Sequence, residues 1–122
     1  MKKKTVSFDY EVVDSIEQLS EPDQLLVQVA KDAMQKAYAP YSNFLVGAAA
    51  LLHNGEVISG GNMENAAYPM CICAEGVILS SVESNYPRAS IETIAITAKS
   101  SSVKLMEPPS PCGSCRQMIC EK

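Results

Sequence analysis

The sequence predicts an α/β fold, a sheet covered by helices. Three observations carry this expectation. An apolar stripe with helical period runs through "SEPDQLLVQVAKDAMQKAY", two apolar runs flank an Asn-Gly pair in "FLVGAAALLHNGEVISGGN", and helix and strand patterns alternate from there on. At 122 residues the chain fits one compact domain spanning 1–122, with 1–19 as an N-terminal extension.

In chain order, the start "MKKKTVSFDYEVVDS" has three lysines but no apolar stretch behind them. It is therefore not a secretory signal, and a cytoplasmic address is expected. The first helix places Leu25, Leu26, Val29, Ala30, Ala33, Met34 and Ala37 on one stripe. Ser20 and Asp23 suit a capping box, with Pro22 in the first turn. "APYS" then breaks the pattern. The next two runs read as strands around a His53-Asn54-Gly55 turn, since Asn-Gly supplies the positive φ values of tight hairpins. "AAYPM" is a loop, and Cys73 opens a second helix with Ala74, Val77, Ile78, Ser81 and Val82 inward. "SIETIAITAK" is a third strand, apolar enough for burial on both sides. "SSSVKLMEPPSP" is a loop studded with breakers, and "CGSCRQMICEK" opens a third helix. With that helix cut short and few strands legible, a further C-terminal portion is expected.

Hydrophobic residues make up 47% of the chain and charged residues 20%, enough to build a core. No window approaches the roughly 18 apolar residues of a membrane helix. The formal net charge of −4 lacks the basic footprint of a polynucleotide binder. A small, roughly neutral ligand is favoured over nucleic acid or a membrane, and the "KKK" run reads as a solvated terminus.

The chemistry lies in five cysteines, Cys71, Cys73, Cys112, Cys115 and Cys120. An odd count in an apparently cytosolic chain argues against a disulfide framework. Cys112 and Cys115 form Cys-x-x-Cys at the start of one helix, and Cys73 starts another. The partial positive charge of a helix N-terminus favours the thiolate that metals bind. Three protein ligands and an open position are the pattern of catalytic zinc, whereas structural zinc takes four. Glu75, two residues past Cys73, can then work as a proton shuttle without ligating the metal. Against this stand plainer readings: Cys73 as a buried small hydrophobe, Glu75 as a helix N-terminal charge, and a structural zinc with Cys71 as fourth ligand. Cys71, Cys120 and His53 read as packing and turn residues.

Cys-x-Glu followed by Pro-Cys-x-x-Cys resembles the signature of zinc-dependent nucleobase and nucleoside deaminases. Through "APYSNFLVGAAAL", "GGNMENAAYP", "CICAE" and "SPCGSCRQ", the stretch from Ala39 to Cys120 is similar to the small, three-cysteine cytidine deaminases. The resemblance implies a three-layer α/β/α sandwich around a mixed β-sheet, with further strands after the third helix and a homotetramer whose subunits share sites. It implies one zinc held by Cys73, Cys112 and Cys115, with Glu75 moving protons. Phe44, Asn62, Glu64, Ala66, Tyr68 and Ala74 would contact the nucleoside, with Asn62 and Glu64 on the ribose hydroxyl. The implied reaction is hydrolytic deamination of cytidine and deoxycytidine at C4, releasing ammonia, in pyrimidine salvage. The family usually follows Cys-Ala-Glu with an arginine that offsets the thiolate charge, and this chain has Gly76 there. Arg116 would then carry that compensation alone. Two other expectations stay open: deamination of another small aminated heterocycle such as blasticidin S, and a non-catalytic zinc-stabilised module.

Overall fold

A computed structural model describes residues 1–122. The first long helix, α1, spans Glu21–Met34 and is capped as its sequence suggests. The Ser20 hydroxyl accepts from Asp23 N at 3.3 Å and donates to the Asp23 carboxylate at 2.6 Å. Leu26, Ala30, Ala33 and Met34 form its buried line. Leu25 was expected on that line but is 69% exposed. The line is centred on 26, 30 and 33, and a turn of about 100° per residue carries 25 past its edge.

The sheet has three strands: β1 Phe44–Leu52, β2 Val57–Gly61 and β3 Ile91–Ser100, in the order β2-β1-β3. The turn between β1 and β2 forms as its sequence demands. Gly55 has φ +87°, Gly55 N donates to Leu52 O at 2.8 Å, and Leu52 N donates to Glu56 O at 2.9 Å. Both ladders are antiparallel, with Ala49 opposite Ser59 on one side and Ala95 on the other. A mixed sheet was expected, and these three strands form none. β2 and β3 each oppose β1, so they run parallel to one another, but β1 lies between them and no parallel ladder joins them.

β1 is the centre of three layers. Ala48 and Ala50 point to the face covered by α2 (Ala74–Asn85), with Ile78 and Leu79 against them. Ala49 points to the opposite face, against Leu26 and Ala30 of α1. This period-two alternation along "GAAA" lets helices close on both sides. Gly47 is required on the α1 face, because a Cβ there would lie 2.0 Å from Ala30 O and 2.5 Å from Met34 N. The α/β/α sandwich is therefore present, with α1 on one side and α2 on the other.

The third helix, α3 (Gly113–Cys120), packs beside α2 and adds Ile119 to the core. It helps explain why Leu79 is buried at 1% exposure although the sequence reading left it off the inner face. Full burial of Ile78, Leu79 and Val82 contributes roughly 1.5–3 kcal/mol each. β3 was expected to be buried on both sides, yet only Ala95 is buried along it. The strand has a neighbour on one side alone, so its outer flank stays half-exposed. No helix is long and apolar enough to cross a membrane.

Candidate metal centre and nucleoside recess

Two of the candidate ligands are helix caps. Cys73 is the N-cap of α2 and Cys112 the N-cap of α3, both with extended backbone. The Cys112 thiol accepts from Cys115 N at 3.5 Å, which turns Cys115 back toward it. Packing of α2 against α3 then brings the two caps together, with Cys73 Sγ 3.9 Å from Cys112 Sγ. The sulfurs of Cys73, Cys112 and Cys115 all lie within 4.8 Å of one another. Tetrahedral zinc with Zn–S bonds of about 2.3 Å requires sulfurs roughly 3.8 Å apart. The donor set therefore fits a zinc ion after small adjustments.

The thiols differ in their proton affinity. Burial pushes Cys73 up, and the neighbouring Cys112 thiol adds to this. Cys115 is pushed up far more strongly, first by burial and then by Cys112 and the Glu75 charge. Cys112 is lowered, chiefly because backbone N–H of Cys115 donates to its sulfur. Glu75 is the buried charged residue of the chain, at 5% exposure, in the first turn of α2. Its charge adds to the rise of both Cys73 and Cys115. No sealed side-chain oxygen or nitrogen lacks a partner.

Cys71 stays outside this group. Its sulfur accepts from Asn65 N at 3.3 Å and faces Asn65 O at 3.6 Å, which ties a loop. Cys120 and His53 are likewise absent from it. The Arg116 guanidinium is bonded beside Cys112: Nε donates to Pro111 O at 2.9 Å and a terminal N–H donates to Ser110 Oγ. The guanidinium thus fixes the loop that delivers Cys112. At Gly76 a Cβ would meet only Ile72 Cγ2, at 3.2 Å.

The expected nucleoside contacts divide into two groups. Glu64, Ala66 and Tyr68 share an open recess of about 510 Å³ with Tyr41, Ser42, Asn65 and Cys71. The Glu64 carboxylate accepts from Tyr41 N at 2.8 Å, from Ser42 N at 3.3 Å and from the Ser42 hydroxyl. The Ser42 bond chiefly lowers its pKa below the ordinary value. Asn43, with φ +54°, then turns the chain into β1. Phe44, Asn62 and Ala74 do not line the recess. Asn62 uses its carboxamide on β1, donating to Phe44 O at 3.0 Å and accepting from Val46 N at 2.8 Å. Ala74 is fully buried in the core. The sequence reading passed over Tyr41, Ser42 and Asn65, and the breaker "APYS" was the available signal for the first two.

Residues 20–122 match the family model of the cytidine and deoxycytidylate deaminase zinc-binding region. The chain belongs to that family. A cytidine deaminase of Halalkalibacterium halodurans is 42% identical over 98 residues, covering 80% of this chain and 70% of the relative. One of Sporosarcina psychrophila is 42% identical over 96 residues, covering 79% and 66%. The chain thus spans about two thirds of the length of these relatives. The crystal structure of the Burkholderia pseudomallei cytidine deaminase superimposes with a TM-score of 0.70 at 40% identity, over 83% of this chain and 75% of that one. Within this deaminase family the bound metal is zinc, and Cys73, Cys112 and Cys115 are the residues placed to hold it.

Proposed function

We propose that the protein catalyses hydrolytic deamination of cytidine and deoxycytidine to uridine and deoxyuridine, with release of ammonia, in pyrimidine salvage. The observation that carries this reading is the three-thiol group with Glu75 in the same first turn as Cys73. Residues 1–122 act as one unit, with 1–19 as an extension, in the cytoplasm and as a homotetramer. The exposed Tyr68, at 84%, suits a residue offered to a neighbouring subunit's site.

Cys73, Cys112 and Cys115 would hold the zinc, which when bound supplies the Lewis acidity that makes water nucleophilic at neutral pH. Glu75 takes a proton from the attacking water and delivers it to ring N3, then takes the proton of the new C4 hydroxyl as it becomes the carbonyl and passes it to the departing amine. Its burial between the caps shields that transfer from bulk solvent. Glu64 and Asn62 orient the sugar hydroxyl, Ala66 offers backbone to the base, Phe44 helps hold the pyrimidine, and Ala74 joins the substrate contacts. Arg116 offsets part of the thiolate charge, and its bonds to Pro111 and Ser110 fix the approach to Cys112. The acidic chain and the small recess favour a free nucleoside over a polynucleotide.

Zinc content per chain and ultraviolet absorbance of cytidine test the reading, in the wild type and in Glu75→Gln. Both should carry about one zinc, with turnover lowered on the order of 10²–10⁴-fold or more in the variant. Full zinc without turnover in either protein would sink the enzymatic reading. Turnover of a different aminated heterocycle alone would sink the substrate.

A further inference from the structure

The turn before β1 is built around a side chain from another part of the fold. Asn43 N donates to Ala39 O at 3.0 Å, which closes the turn, and Asn43 takes φ +54° where the chain leaves it. Successive backbone N–H groups in such a turn form a concavity that favours an anion. The Glu64 carboxylate fills it: Oε2 accepts from Tyr41 N at 2.8 Å and from Ser42 N at 3.3 Å. The other oxygen, Oε1, accepts from the Ser42 hydroxyl.

That hydroxyl has one proton, and its neighbours decide where the proton goes. Phe44 N donates to Ser42 Oγ at 3.1 Å, so the oxygen is already an acceptor on the β1 side. Its proton goes to Glu64, because an ionised carboxylate can only accept. One hydroxyl therefore ties the start of β1 to a carboxylate 22 positions beyond it in the chain. A carboxylate has about four lone-pair sites. The two backbone amides occupy those of Oε2 and Ser42 occupies one on Oε1, so a single acceptor site is left on Oε1. Glu64 and Ser42 both line the recess of about 510 Å³, which puts that site at its wall.

We propose that Ser42 is a positioning residue for the sugar: its hydroxyl turns Glu64 so that the free lone pair of Oε1 accepts from a ligand hydroxyl. The inference rests on the nucleoside reading of the recess and deepens it. Ser42 acts through Glu64 and has no need to touch the ligand. The group it sets in place can only accept, so it selects a ligand that donates at this point. A sugar hydroxyl meets that requirement, and a methyl ether of the same hydroxyl does not.

Cytidine kinetics and a carboxyl NMR titration of the zinc-loaded full chain test this. The proteins compared are the wild type, Ser42→Ala, Ser42→Thr, Glu64→Ala and Ser42→Ala/Glu64→Ala. Ser42→Ala should raise KM on the order of 10-fold with kcat nearly unchanged, as expected for lost binding that ground and transition states share. Ser42→Thr keeps the hydroxyl and should restore most of the loss. In the Glu64→Ala background the Ser42 substitution should change KM by less than about 2-fold, because the partner it acts through is gone. The Glu64 titration midpoint should rise toward 4.5 in Ser42→Ala and stay low in Ser42→Thr. Equal KM effects of Ser42→Ala with and without the Glu64 carboxylate would overturn the proposal, and so would an unmoved midpoint. A fall in kcat at constant KM would overturn it too. Absence of cytidine turnover in the wild type would sink the nucleoside reading instead, and the titration would still decide whether the hydroxyl holds Glu64.

Discussion

Cys73 Sγ stands 3.9 Å from Cys112 Sγ although 39 residues separate them, and each residue caps the helix it precedes. Loss of one thiol therefore removes a ligand and opens the junction of α2 and α3. Cys112→Ser should lower zinc affinity by more than the 10–100-fold that loss of an outer-shell partner costs. Metal analysis after dialysis checks this. Cys71→Ser, which touches only the Asn65 loop, should keep its zinc.

Zinc affinity should fall steeply with acid. Cys73 and Cys115 are raised above the ordinary thiol value, so both carry protons at neutral pH in the metal-free protein. Metal binding must displace at least these two protons. Affinity should then drop by roughly 100-fold for each pH unit lowered through the neutral range, since each displaced proton contributes a factor of about ten. Competition with a chromophoric chelator at several pH values measures the slope. A slope of one proton or none would contradict the raised thiols.

Gly47→Ala should destabilise the chain by about 3 kcal/mol or more, because the new Cβ meets backbone atoms of α1 that cannot rotate aside. Gly113→Ala is the control. It opens α3 with nothing within 4 Å of its Cβ, so it should be neutral or stabilise by up to about 1 kcal/mol. Urea unfolding midpoints compare the two.

Glu64 should contribute to acid lability. Its pKa is lowered in the folded chain, mainly by the Ser42 hydroxyl, so the ionised form is the favoured one. The stability it adds is present above the unfolded value of 4.5 and fades as pH falls through the lower folded value. Glu64→Gln should therefore remove part of the stability loss below pH 4.5, with little further change between that pH and neutrality. Unfolding midpoints of both proteins across this window, with chelator present throughout, test it.

The parts of this structure legible in the sequence are those fixed by short-range chemistry. Ser20 with Asp23, Asn54-Gly55 and Cys112-x-x-Cys115 act within four residues, and each forms what its spacing implies. The layers also follow, since the alternation in "GAAA" demands a helix on both faces. What escaped depends on partners far along the chain. The exposure of β3 follows from strand order, Leu79 lies beside a helix about 35 residues later, and Leu25 misses a line set by the sheet. At the candidate site the cysteines were visible as a motif. By contrast, the attachment of Glu64 to Ser42 spans 22 residues and has no local signature.

The Asn62 carboxamide, bonded to the carbonyl of Phe44 and the amide of Val46, makes the end of β1 and the start of the "NMEN" loop one rigid piece. Fixing the backbone of a residue costs roughly 1–2 kcal/mol in conformational entropy. Here that ordering is completed during folding, before any ligand arrives. A ligand entering the recess would meet a loop already anchored to this piece, and the remaining adjustment would fall on the exposed rim at Ala66 and Tyr68. Selectivity should then reside in Glu64, held by the Tyr41 and Ser42 amides at the start of that loop, while the rim governs how fast ligands enter and leave.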